Sequence, residues 1–88
     1  MNGIGNIVFR PSKVEDQIND YLNQPHWVVS SHEYRADAME GVQNYLEEHF
    51  GGQWSMIYDD YPDMTGASVS ICWIEDNYLH HIVLNVRY

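Results

Sequence analysis

Apolar and polar positions follow two different periods along this chain. Between Asp37 and Phe50 the period is helical. Ala38, Val42, Tyr45, Leu46, His49 and Phe50 recur three and four apart, and Asp37, Glu40, Asn44, Glu47 and Glu48 fall on the opposite side. Gly51-Gly52 closes the stretch, where a left-handed residue ends a helix. A second helical stripe, Val14, Ile18, Tyr21 and Leu22, follows Pro11-Ser12, with Asp16 and Asp20 pointing away from it. Ser12 and Glu15 have the S-x-x-E spacing of a capping box, and Asn23-Gln24-Pro25 ends this helix.

Between the two helices, Trp27, Val28 and Val29 favour a strand. Two helix starts compete there: Ser30 with Glu33, and Asp37 with Glu40, each at capping-box spacing. The preferred reading is an extended segment over Trp27–Tyr34 and a helix beginning near Asp37; an earlier start near Ser31 would add Glu33 to the acidic side. Ahead of Pro11, two glycines and the run Ile7-Val8-Phe9 suit an edge strand or a packed arm.

From Trp54 onward the period is two. Trp54–Tyr58 reads as a strand, Asp59–Gly66 as a loop marked by Pro62 and Gly66, and Ala67–Glu75 and Tyr78–Tyr88 as strands joined at Asp76-Asn77. A two-residue turn sets Glu75 opposite Tyr78, then Trp73 opposite His80, Ile71 opposite Ile82, Val69 opposite Leu84 and Ala67 opposite Val86. That register gathers the large apolar residues on one side. It leaves a mixed face of Ser68, Ser70, Cys72 and Ile74 against Asn85, Val83, His81 and Leu79, partly exposed or covered by the N-terminal arm. The expected fold is α+β: two helices packed on one face of an antiparallel sheet with a C-terminal three-stranded meander, in a single domain over 1–88.

Composition changes this picture mainly through charge. Thirteen Asp and Glu stand against four Lys and Arg in 88 residues, a formal charge of −9, and Lys13 is the only lysine. Such a surface repels nucleic acid and anionic membrane and attracts a basic partner. The hydrophobic fraction of 44% supports a folded core, and the aromatic fraction of 14% gives it bulk. One cysteine excludes an internal disulfide and fits a reducing compartment. No signal-peptide pattern and no apolar run of about 20 residues is present, so a cytoplasmic protein is expected, in the host cytoplasm if phage-encoded.

Candidate chemistry is sparse. His80 and His81 are adjacent on a strand and point to opposite faces, and His26, His32 and His49 lack ligand spacing. Cys72 and His81 are expected cross-strand neighbours. A nucleophile–base pair there would lack the glycine-rich turn or helix N-terminus that activates a thiolate. Asp59, Asp60 and Asp63 lack the order of a calcium loop. Neither metal, cofactor nor catalytic residue is expected.

What remains is the acidic side of the second helix. Its carboxylates recur every turn, about 4.5–6 Å apart along the axis, and like charges so placed weaken an isolated helix. The expectation is a small acidic inhibitor that binds a basic nucleic-acid-handling protein by mimicking nucleic acid, as phage anti-CRISPR or anti-restriction proteins do. The expected contact residues are Asp37, Glu40, Asn44, Glu47 and Glu48, joined by Glu33, Asp59, Asp60 and Asp63. Tyr34, Tyr58 and Tyr61 are candidate aromatic anchors. The partner would be a CRISPR effector, a restriction enzyme or a nuclease toxin; against a toxin, the chain would be an immunity protein or antitoxin. Weaker alternatives are a small enzyme using Cys72 and His81, and a subunit that pairs through an exposed final strand at Val83–Tyr88.

Overall fold

The computed structural model describes residues 11–88. The arm or edge strand expected over Met1–Arg10 lies outside the described residues. The elements run α1 (Lys13–Leu22), β1 (Val28–Ser30), β2 (Glu33–Arg35), α2 (Ala38–Phe50), β3 (Trp54–Asp60), β4 (Gly66–Glu75) and β5 (Tyr78–Arg87). The protein is α+β: the described residues form two helices and one five-stranded sheet of order β1-β2-β5-β4-β3.

Ser12 starts α1 from an extended conformation, and its Oγ accepts the Glu15 amide at 2.9 Å. The next free amide of the first turn, Lys13 N–H, donates to Glu75 Oε2 at 3.0 Å from 62 positions away. A carboxylate from the end of β4 therefore satisfies the helix N-terminus, where the backbone dipole also favours it. Val14, Ile18 and Leu22 are the buried stripe.

The extended segment expected over Trp27–Tyr34 is a small hairpin. Its turn at Ser31-His32 places His32 at φ 63°, and β1 pairs irregularly with β2. Ser30 Oγ donates to Glu33 Oε1 at 3.0 Å, so the pair that resembles a helix start braces the hairpin. At the second candidate start, α2 does follow Asp37, but the Asp37 carboxylate makes no cap; Arg35 Nη2 holds it at 2.9 Å. Gly51, at φ 52°, ends α2 with its amide on Glu47 O.

In α2, Ala38, Met39, Val42 and Leu46 are buried, Tyr45 and Phe50 are half-buried, and His49 is exposed. The helix therefore turns Met39 inward and His49 outward, against the simple stripe. Gly41 lies against Tyr21 of α1, where any Cβ would overlap the phenol. Glycine permits this close approach of α2 to the Tyr21 side chain.

The sheet is mixed, not antiparallel throughout. β3, β4 and β5 are antiparallel neighbours, but β2 runs parallel to β5, with Tyr34 beside Val86. β5 is thus flanked on both sides over Asn85–Arg87, which closes that part of the expected Val83–Tyr88 edge, while its residues 78–84 pair only with β4 among the described residues; β1 and β3 are the outer strands there. The β4–β5 register is the one a two-residue turn dictates. Asp76 and Asn77 both take positive φ, 53° and 69°, the conformation of a primed turn that follows the strand twist. β3 extends two residues beyond Tyr58, so Asp59 and Asp60 are strand residues and the loop shrinks to 61–65.

Alternation along β4 separates two faces. Ala67, Val69, Ile71 and Trp73 are buried in one core cluster with Leu84 and Val86 of β5 and the buried residues of both helices. The alternate positions form an open face, on which Ile57, Ile74, Leu79 and Val83 are exposed by 63, 44, 68 and 53%.

Candidate protein-interaction surface

At 100° per residue, Asp37, Glu40, Asn44, Glu47 and Glu48 occupy an arc of about 100° on α2. All five are exposed, opposite the buried Ala38, Val42 and Leu46. Two of them are already engaged. Asp37 pairs with Arg35, and Glu47 Oε2 accepts Trp54 Nε1 at 2.7 Å. The side chains of Glu40, Asn44 and Glu48 make no hydrogen bond or ion pair with any described residue. Burial, and then the charge of Glu40, raises the pKa of Tyr21 beneath the arc.

The other four expected contact residues do not join this arc as a single strip. Glu33 sits on β2, half-buried, between Arg87 Nε at 2.7 Å and Ser30. Asp59 lies on the open face, in one cross-strand row with Ser68, Asn85 and Glu33. Asp63, in the 61–65 loop, accepts both Thr65 N at 3.1 Å and Thr65 Oγ1 at 2.7 Å. Those two bonds hold its carboxyl below the ordinary range, with Arg87 adding to the effect. Asp60 takes a hydrogen bond from Tyr88 Oη, which, with desolvation, pushes the Tyr88 pKa up to about 12. By strand alternation Asp60 falls on the core side of β3, as Tyr58 does, and Glu33 and Asp59 fall on the other side.

Three further carboxylates lie on α1: Asp16 and Asp20, expected to point away from its buried stripe, and Glu15, expected as the capping-box partner of Ser12. A groove lined by Gln17, Ile18, Tyr21, Gly41, Val42 and Tyr45 runs between α1 and α2. Seven carboxylates thus belong to α1, α2 and their caps, against Lys13 alone on the helices. Arg35 and Arg87, the other cations among the described residues, are bonded to Asp37 and Glu33.

Of the tyrosines expected as anchors, only Tyr58 borders the arc. It is 44% exposed and lines a shallow groove of about 540 Å³ with Trp27, Asp37, Met39, Glu40 and Gln43. Tyr34 packs against the core, and Tyr61 Oη donates to Asn85 Oδ1 at 2.9 Å on the far side.

The carboxylate with the most partners is Glu75, which sequence reasoning passed over. It accepts Ser12 Oγ at 2.6 Å, Trp73 Nε1 at 3.0 Å and the Lys13 amide. Burial alone would raise its pKa. The bonds from Ser12, Trp73 and Lys13, with His80 nearby, bring it below the ordinary value. His80 stacks on Trp73 with ring centroids 5.6 Å apart and planes at 10°. Glu75 acts as a structural anchor.

Cys72 and His81 are cross-strand partners on the open face, as the register requires. Among the described residues no three His, Cys, Asp or Glu side chains come together as a metal site, and no helix is long and apolar enough to cross a membrane. Comparison with protein families, with curated proteins and with solved structures found no significant match to this chain.

Proposed function

We propose that this chain is a small acidic inhibitor that lays its helix layer into the basic, nucleic-acid-binding groove of another protein. The reading takes both helices as packed on one sheet face, with β3–β5 as a C-terminal meander behind them, and the shared core cluster supports that arrangement. The single observation that carries it is the outer arc of α2, where Glu40, Asn44 and Glu48 have no cation beside them among the described residues. Glu47 and Glu48 also sit in the last turns of the helix, where the dipole disfavours negative charge. Glu40 and Glu48 have no side-chain partner within the described fold, which supports a use for them in a partner.

The contact set is Glu40, Asn44, Glu47 and Glu48, with Asp37 and Asp60 at its border and Tyr58 as the aromatic anchor. Duplex phosphates present a comparable row of negative charge, and the groove that binds them would accept this one. The partner is a CRISPR effector, a restriction enzyme or a nuclease toxin, met in the cytoplasm; no catalytic role, cofactor or direct nucleic-acid contact is proposed.

The test is affinity capture from the native host by the wild type and by the double variant Glu40→Lys/Glu48→Lys. The wild type is expected to retain a nucleic-acid-binding protein that DNA or RNA displaces. The variant, still folded by circular dichroism, is expected to bind it at least 100-fold more weakly. Binding should weaken steeply with salt. Undiminished binding by the variant refutes the arc as the contact. A partner that proves to be a toxin, or else a defence nuclease, separates the immunity reading from the anti-restriction one.

A further inference from the structure

On a molecule of net charge −9, the open face has a part with no formal charge. Going from the β4–β5 turn, its cross-strand rows are Ile74 with Leu79, then Ser55 with Cys72 and His81, then Ile57 with Ser70 and Val83. None of these eight positions is Asp, Glu, Lys or Arg. The next rows carry charge: Asp59 and Glu33, then Arg87 and Arg35, with Arg87 paired to Glu33 and Arg35 to Asp37. Four of the large apolar residues exposed on the molecule, Ile57, Ile74, Leu79 and Val83, lie in the uncharged rows.

We infer that this face is the interface of a symmetric dimer, sheet on sheet, formed by two copies of the chain. Charge selects a second copy as the occupant. A two-fold contact opposes a patch to itself, so a strongly charged patch would repel its own image, and only a neutral one avoids this. Stacking through the open face turns both helix layers outward and keeps their carboxylates as far apart as the molecule allows. Small Ser55, Ser70 and Cys72 beside the four large side chains give the relief that two sheets need to interdigitate about 10 Å apart. Three strands spaced about 4.8 Å, over the five β4 positions from Ser70 to Ile74 that span the uncharged rows, form a plate of about 14 by 16 Å. That is smaller than the roughly 800 Å² per partner of a standard specific interface. The dimer is therefore weak and concentration-dependent, and it leaves the proposed acidic arc free on both outer sides.

The test is sedimentation equilibrium of the full chain from 2 to roughly 500 µM, a range set by the small interface. A monomer–dimer equilibrium is expected. Ile57→Lys/Val83→Lys, at exposed positions and with an unchanged circular dichroism spectrum, should raise the dissociation constant at least tenfold. Glu48→Lys on the helix layer should leave it within twofold. The Cys72 thiol should react more slowly with a thiol reagent as concentration passes through the association range. The inference is overturned by a wild type that stays monomeric, by a lysine variant that associates like the wild type, or by a dimer that Glu48→Lys disrupts. A monomeric wild type that self-associates once Phe9 is replaced by aspartate also overturns it, and assigns the face to residues 1–10.

Discussion

Replacing Glu75 by glutamine removes the charge from a carboxylate that accepts from Ser12 Oγ, Trp73 Nε1 and Lys13 N–H. Hydrogen bonds to a charged group contribute about 1.5–3 kcal/mol each when shielded, and roughly half of that survives on a neutral acceptor. Glutamine keeps one acceptor oxygen and turns an NH₂ toward at least one of the three donors. The Lys13 bond is exposed and contributes least; the Ser12 and Trp73 bonds are partly buried. The expected loss is about 2 kcal/mol, which lowers the melting temperature of a domain this size by roughly 10 °C. Urea unfolding followed by tryptophan fluorescence measures it directly, since Trp73 is buried beside the substituted group. The pH dependence provides an independent check. The folded pKa of Glu75 lies below its ordinary 4.5, so its contribution is full above that value. The contribution is lost as pH falls through the folded pKa, so wild type and variant should converge in acid. Equal stability at pH 7, or a difference that persists unchanged into strong acid, would refute Glu75 as the anchor of α1.

Three further outcomes are expected. Gly41→Ala should destabilise by about 1–3 kcal/mol through overlap with Tyr21, although alanine is the better helix former, and adding Tyr21→Phe should recover part of the loss in urea titrations. Glu48→Gln should stabilise the fold by about 0.3–0.5 kcal/mol, because it removes an unpaired charge from the negative end of α2; a loss of stability would show that the charge is used within the fold. One tyrosine should titrate near pH 12 by ultraviolet absorbance, and Asp60→Asn should return it toward 10, because the bond to Asp60 holds the Tyr88 proton. The raised folded pKa means that this bond supports the fold below pH 10 and is lost as pH rises through about 12.

The β4–β5 pairing was readable residue by residue because a two-residue turn and a strict alternation both fix register, and they agree. The outer arc of α2 was readable for the same reason: helical spacing alone places Glu40, Asn44 and Glu48 together. The β1–β2 hairpin was not. Each of its strands has three residues, too few for a period, and Ser30 with Glu33 carries a helix-start pattern that the hairpin uses for a side-chain bond. The parallel pairing of β2 with β5 has no local signature, so the last strand read equally well as an edge. Asp37 lost its capping role to Arg35, two residues back, a competition that spacing rules do not weigh. Glu75, next to a turn, has the look of a solvent residue; its partners Ser12 and Lys13 are more than 60 positions away. The nine-residue acidic surface divided because β-strand parity, which sends Asp59 and Asp60 to opposite faces, depends on where β3 ends.

The parallel seam between Glu33–Arg35 and Asn85–Arg87 also constrains how the molecule assembles. A hairpin of two three-residue strands has too little surface to persist alone, and its neighbour in the sheet lies some fifty positions downstream. Joining so distant a pair carries a large loop-closure cost, which slows folding. The first half of the chain must therefore wait for the last strand. Shortening the C-terminus by a few residues would unfasten β1 and β2 while the local β3–β4–β5 ribbon could still zip, so the C-terminal strand is the clasp of the sheet.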